Sequence, residues 1–233
     1  MAGVLYGVGL GPGDPELVTL KAARLIGAAE VLAYPALAGA ASFARSIAAG
    51  LIPAGAEEIV MEMPMTEARG PAQAAYDAGA ARISAVLESG RDVVCLCEGD
   101  PFFYGSFRYV LARLSGRFAV EVVRGVTSVT ACAARAGVPL VARNERLEVL
   151  PGTLPEDELA ARIGGAEAVA VMKVGRHLGK IRRVLAGLGL EGRAVYVERA
   201  TLREEVVLPL AQAPEAAPYF SMILVTKGGD PWL

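Results

Sequence analysis

Residues 95–107 read CLCEGDPFFYGSF. An apolar run, DVVCLC, stops at Glu98-Gly99-Asp100-Pro101, and three aromatics, Phe102, Phe103 and Tyr104, follow at once. Pro101 fixes its own φ and disfavours the helical region for Asp100, which holds the carboxylate outside the next helix. Two further glycine turns share this layout. Gly7-Val8-Gly9-Leu10-Gly11-Pro12-Gly13-Asp14 follows the first strand-like run, and Arg124-Gly125-Val126-Thr127-Ser128 follows a later one. In the latter, Thr127 or Ser128 can cap a helix and present a hydroxyl. Backbone amides, hydroxyls and a carboxylate gathered at strand ends suit a polar ligand with one flat face. Each feature also has a plainer use, since glycine turns link strands to helices and aromatics fill cores.

The first loop invites comparison with the dinucleotide fingerprint G-x-G-x-x-G. Counting from Gly7, the third glycine position falls on Pro12, and counting from Gly9 it falls on Asp14, so neither register holds. Asp14 is placed as an N-cap with Pro15 at the first helical position, which puts a carboxylate where a pyrophosphate would bind. A ligand without phosphate fits better. A nicotinamide-dependent oxidoreductase is disfavoured on the same grounds, together with the absence of an acidic residue after EVLAYP.

Positioning such loops requires strands that end together. The first half alternates strand-like and helix-like stretches: VLYGVGL, then PELVTLKAARLIGAA; EVLAYP, then PAQAAYDAGAARISAVLESG; RDVVCLC, then SFRYVLARLSG; FAVEVV, then TSVTACAARAG. That alternation predicts a mostly parallel sheet covered on both faces. Around Pro139 to Arg146 the text becomes more charged and proline-punctuated, and a boundary is expected there, giving domains 1–141 and 142–233. Beyond it EAVAVMKVG, RAVYVERA, EEVVLPL and YFSMILVTK read as strands, with RHLGKIRRVLAGLG as a helix, which predicts a mixed sheet. The fold class is α/β in two domains.

At 233 residues and 54% apolar composition the chain can bury a sizeable core. Charge-free stretches such as Val31 to Ala44, broken by Pro35, fall short of the ~18 residues of a spanning helix. MAGVLYGVGL has no basic segment ahead of an apolar one, so a cytoplasmic location is expected. The net charge of −2 leaves no cation excess for nucleic acid. Cys95, Cys97 and Cys132 are too few and wrongly spaced for a disulfide framework or a zinc site and are expected to be buried thiols. His177, the single histidine, has no ligand partner at metal-binding spacing. No metal is expected.

With the loops goes a resemblance. GVGLGPGDPELVTLKA, EGDPFFYGSF, VVRGVTSVTACAARAGVPL, VMKVGR and VERATL resemble the tetrapyrrole methylase family, over essentially the whole chain. The resemblance implies methyl transfer from S-adenosylmethionine to a carbon of a large cyclic tetrapyrrole, leaving S-adenosylhomocysteine. It also implies a cofactor cleft between two α/β domains and a homodimer. LCEGDPFFYGSF, VLPGTLPEDELAARI, MKVGRHL and PYFSMILV look most like members that methylate carbon 20 of precorrin-2, giving precorrin-3A, in cobalamin biosynthesis. The resemblance implies cofactor-binding positions at Pro12, Glu98, Gly99, Asp100, Phe103, Tyr104, Thr127 and Ser128, and at Met172 and Ala200 in the second half. Arg124 stands where many members have proline, and Ala200 where relatives often have glycine. Asp100 is a candidate for binding the donor's polar groups or for accepting a proton. A polyanionic tetrapyrrole needs local cations, and Arg108, Arg124, Arg143, Arg146, Lys173, Arg176 and His177 are the candidates. A cobalt-containing substrate, another ring carbon, or a non-catalytic cofactor-binding module remain open alternatives.

Overall fold

Five strands of the first half form one sheet. The computed structural model describes residues 1–65 and 69–228, and the chain divides into two compact units, Met1–Thr127 and Ser128–Leu233. In the first unit, β1 Leu5–Gly9, β2 Val31–Leu37, β3 Glu57–Met63, β4 Val93–Cys97 and β5 Val120–Val123 lie in the order β3-β2-β4-β1-β5. All pairings are parallel. The connecting helices are α1 Leu20–Gly27, α2 Phe43–Ile47, α3 Arg69–Glu88 and α4 Phe107–Leu114. Every residue of β4 is buried because both faces of the sheet are covered.

The two-residue period of a strand divides the core between those faces. Val93, Cys95 and Cys97 join Leu5, Ile59 and Met61 against α3 and α4. Val94 and Leu96 join Val8, Leu32 and Tyr34 against α1 and α2. Consequently α1 leaves β1 on one face and α4 leaves β4 on the other. Neighbouring strands whose connections diverge this way open a crevice at their carboxyl ends.

The second unit contains α5 Ser128–Ala136, β6 Leu147–Pro151, α6 Glu156–Gly165, β7 Ala168–Met172, α7 Leu178–Gly187, β8 Ala194–Glu198, β9 Val206–Pro209 and β10 Ser221–Thr226. Its sheet runs β6-β7-β10-β8-β9 and is mixed, with β6 and β7 parallel and the other pairings antiparallel. Its core packs Leu159 and Ile163 of α6 and Leu178, Ile181 and Leu185 of α7 on Val169, Val171, Tyr196 and Ile223. Helix α5 packs on β8 and β10 and so goes with this unit.

Three local readings change. The helix expected from Pro15 onward breaks into a single 3-10 turn, Pro15–Leu17, and α1, because Val18 is extended and the Thr19 hydroxyl accepts from Ala22 N at 3.2 Å. Strand β3 was not anticipated; it is an edge strand whose Ile59 and Met61 face inward while its glutamates give the run a polar look. Residues 147–165, which follow the charged boundary and to which the sequence reading assigns no element, hold β6 and α6, and Glu156, Asp157 and Glu158 fill the first turn of α6, where carboxylates favour the helix dipole.

Cys95, Cys97 and Cys132 are buried free thiols. Burial pushes the Cys132 thiol up to about 12. Among the described residues no helix is long and apolar enough to cross a membrane, and no group of three His, Cys, Asp or Glu side chains is placed to hold a metal.

Where β1 passes under α4, a methyl group on Gly7 would lie 2.4 Å from the buried Phe107 ring. Gly7→Ala is therefore expected to cost about 1–3 kcal/mol through overpacking, read as a lower urea midpoint at unchanged slope.

Candidate functional site

Because β4, β1 and β5 are neighbours, the three glycine loops leave the sheet side by side. Gly11 N donates to Gly99 O at 3.2 Å and Gly99 N to Gly11 O at 2.8 Å, so the first and second loops form a short antiparallel bridge. The third loop is closer still. A methyl group on Gly125 would stand 2.0 Å from Gly99 O, and one on Gly9 would stand 2.6 Å from Gly125 N, so backbone meets backbone where only glycine fits. Asp100 locks this crossing: its Oδ1 accepts from Phe102 N at 2.9 Å and its Oδ2 from Gly125 N at 3.1 Å. Gly99 has φ +62°, and a methyl group there would meet nothing within 4 Å, so the space beside it is open.

Around this crossing stand the other candidates of the first unit. Phe102 and Tyr104 are 61% and 50% exposed, so they are not core side chains; the core place goes to Phe107. Phe103 is half-buried and meets Tyr104 edge-on, with centroids 5.4 Å apart. Tyr104 holds φ +57°, a left-handed conformation that is uncommon outside glycine. Pro12 and Thr127 are half-buried. Glu98 keeps an exposed surface but closes a fully buried strand with protein crowded about it, and that desolvation raises its carboxyl above the ordinary carboxylate value. As the sequence indicated, Asp14 accepts from Glu16 N at 2.9 Å and caps the turn after the first loop. Arg124 is exposed, and Arg108 is exposed with its guanidinium 6.0 Å from the Tyr109 ring centre.

In the second unit β7 and β8 both run antiparallel to β10, which lies between them, so their carboxyl ends share one sheet edge with the start of β10. Met222 pairs with Met172 on one side and Val197 on the other. Ala200 is buried between Arg199 at φ +48° and Thr201 at φ +71°, and Lys173 has φ +56°. Ser128 opens α5 and is half-buried. Arg176 and His177 lie in a 3-10 turn, Gly175–His177. Burial, then Lys180 and Arg176, lowers the His177 pKa, so the ring is neutral at neutral pH and offers a hydrogen bond rather than a charge. Arg143 is exposed at φ +47°. Arg146 is committed to Glu167, its Nε and Nη2 each 3.0 Å from a carboxylate oxygen.

Sequence reading missed Glu198, a buried carboxylate that accepts from Tyr196 Oη at 2.7 Å and pairs with Arg199 at 3.1 Å. Its one sequence signal is an acid closing the apolar strand AVYVE.

The family model of tetrapyrrole (corrin/porphyrin) methylases matches residues 4–214. The chain is 45% identical over 237 residues to a precorrin-2 C(20)-methyltransferase of Sinorhizobium sp, covering 98% of this chain and 97% of that protein. It is 34% identical over 231 residues to a cobalt-precorrin-2 C(20)-methyltransferase of Salmonella typhimurium, covering 97% and 98%. Among solved structures, uroporphyrin-III C-methyltransferase from Thermus thermophilus complexed with S-adenosyl homocysteine aligns with a TM-score of 0.69 at 28% identity, covering 96% of this chain and 97% of that one.

Glu98 makes the stability of the fold depend on pH. Its folded pKa is raised above the ordinary 4.5, so its protonated form adds stability that is full below the unfolded pKa and fades as pH rises through the folded value. Glu98→Gln, which cannot ionise, is expected to be more stable than the parent near pH 7, with an advantage that disappears below about pH 4. Chemical denaturation at both pH values checks this.

Proposed function

The chain belongs to the tetrapyrrole (corrin/porphyrin) methylase family, and we propose that it transfers the methyl group of S-adenosylmethionine to carbon 20 of precorrin-2, giving precorrin-3A in cobalamin biosynthesis. The observation that carries this reading is the 45% identity spanning 98% of the chain to a relative named for that activity. The family match at residues 4–214 also takes in every position assigned to the donor.

When bound, S-adenosylmethionine supplies a methyl carbon made electrophilic by its sulfonium, which an electron-rich ring carbon can attack directly. The residues present fit such a molecule. It carries no phosphate, in keeping with the carboxylate of Asp14 at the first turn; its polar groups match the amides and hydroxyls of the strand ends, and the open space beside Gly99 leaves room for it. Pro12, Glu98, Gly99, Asp100, Phe103, Tyr104 and Thr127 of the first unit, with Ser128, Met172 and Ala200 of the second, are the residues assigned to the donor.

Asp100 serves this site chiefly as a positioning group. Both of its oxygens already accept backbone N–H groups, so its first task is to fix the amides of Phe102 and Gly125; its remaining lone pairs can accept from the donor. The chain's contribution to rate is then alignment of the two reactants and exclusion of water. Arg108, Arg124, Arg143, Lys173 and Arg176 supply local positive charge for the substrate's carboxylates, and His177 supplies a neutral donor. A chain with net charge −2 binds such a polyanion only where its cations are concentrated.

The 34% identity to the Salmonella typhimurium protein supports a second reading, the same transfer to a substrate that already carries cobalt. We extend the first reading to a cytoplasmic homodimer acting on a small molecule, with neither nucleic acid nor membrane as partner; light scattering on the eluting protein reads the subunit number.

Incubation with methyl-labelled S-adenosylmethionine and precorrin-2, followed by NMR of the product, is expected to place the label at carbon 20. Label at another carbon overturns the regiochemistry, and transfer only to the cobalt-loaded substrate selects the second reading. Asp100→Asn, which loses one acceptor and the charge, is expected to weaken S-adenosylhomocysteine binding by about tenfold or more, the scale of a charged hydrogen bond. Titration calorimetry reads it.

A further inference from the structure

Ala200, assigned above to the donor, sits in an unusual turn. The residues on both sides of it have left-handed backbone, Arg199 at φ +48° and Thr201 at φ +71°. For a β-branched residue such as Thr201 that conformation is a genuine outlier and persists only where its surroundings enforce it. The enforcing contacts come from a few side chains. Glu198 pairs with the Arg199 guanidinium at 3.1 Å. Glu205 Oε2 accepts from Thr201 N at 2.6 Å. The turn is further closed by Leu202 N donating to Arg199 O at 3.0 Å and Glu205 N to Leu202 O at 3.1 Å.

Glu205 is itself held. Arg135 Nε lies 2.7 and 2.9 Å from its two carboxylate oxygens, and Arg135 Nη2 lies 2.7 Å from Oε1. Arg135 belongs to α5, about two turns after Ser128, the hydroxyl-bearing residue that opens the helix. An exposed ion pair usually adds little. Here the Glu205 side chain is only 12% exposed, and it caps a strained backbone amide while holding the guanidinium. The contact therefore joins two segments that both carry donor-lining residues, the helix begun by Ser128 and the turn around Ala200.

We propose that Glu205 and Arg135 form a positioning pair that fixes the turn around Ala200 relative to α5 and thereby sets the affinity for the methyl donor. Neither side chain needs to touch the donor. The inference rests on the reading of Ser128 and Ala200 as donor-lining and adds the residues that hold them in place.

The test is titration calorimetry with S-adenosylhomocysteine on the wild type, Glu205→Ala, Glu205→Gln and Arg135→Gln, with hydrogen exchange of the peptide covering residues 199–205. Glu205→Ala is expected to weaken binding by roughly tenfold or more, the scale of a charged hydrogen bond. Glu205→Gln, which keeps an acceptor for the Thr201 amide, falls between it and the wild type. Arg135→Gln, altered at an exposed side chain, stays folded even if Glu205→Ala does not, and is expected to weaken binding about threefold. Exchange in the turn speeds up in the same order. In turnover the KM for the donor rises while that for the tetrapyrrole holds. Affinity for S-adenosylhomocysteine equal to wild type in Arg135→Gln and in any folded Glu205 variant overturns the inference, as does an equal rise in both KM values. A wild type with no affinity for S-adenosylhomocysteine instead overturns the donor reading on which it stands.

Discussion

The crossing of three backbones at Gly9, Gly99 and Gly125 is the contact on which the first unit's site depends. Strand ends in a parallel sheet are about 5 Å apart, and loops leaving them normally splay. Here they touch, because side chains are absent where the chains meet and because the Asp100 carboxylate takes one amide from its own turn and one from the next loop. A carboxylate receiving two N–H groups is a stronger tie than a neutral hydrogen bond. It turns loops, which are commonly mobile, into a fixed set of amides, and pre-organisation of that kind is what alignment of two reactants requires.

Backbone strain follows the same geography. Among the described residues, the non-glycine positions with left-handed backbone are Tyr104, Arg143, Lys173, Arg199 and Thr201. Tyr104 lies in the loop after β4, Lys173 directly follows β7, and Arg199 and Thr201 follow β8. Such conformations cost about 1–3 kcal/mol each, and four of the five follow the carboxyl ends of β4, β7 and β8, while Arg143 lies ahead of β6. The regular sheets and helices beneath, with cores almost wholly apolar, supply the stability that sustains them.

Charge is sorted as well. Arg45, Arg113, Arg117, Arg146 and Arg183 are each paired with a carboxylate. Arg108 and Arg124 stand outside such pairs among the described residues and lie near the glycine crossing in sequence. In an acidic chain, this division separates cations paired with the fold's own carboxylates from cations that are not. One-dimensional text does not reveal it, since Arg146 and Arg124 look equally available until Glu167 is seen beside Arg146.

By itself the sequence determined the class of fold, the loops and the family. Strand and helix periods are local, so alternating runs gave the parallel first sheet, and Asp14-Pro15 and Gly99-Asp100-Pro101 announced their turns through steric rules that hold within a few residues. Edge strand β3 and the β6–α6 pair escaped because glutamates and prolines mask apolar positions whose burial depends on distant partners. Tertiary structure alone decided that Asp100 meets Gly125, that Phe102 and Tyr104 face outward while Phe107 fills the core, and that Glu205 ties Arg135 to Thr201. Those contacts join residues remote along the chain, and which of them form is set by strand order and close packing, quantities that no local pattern of residues encodes.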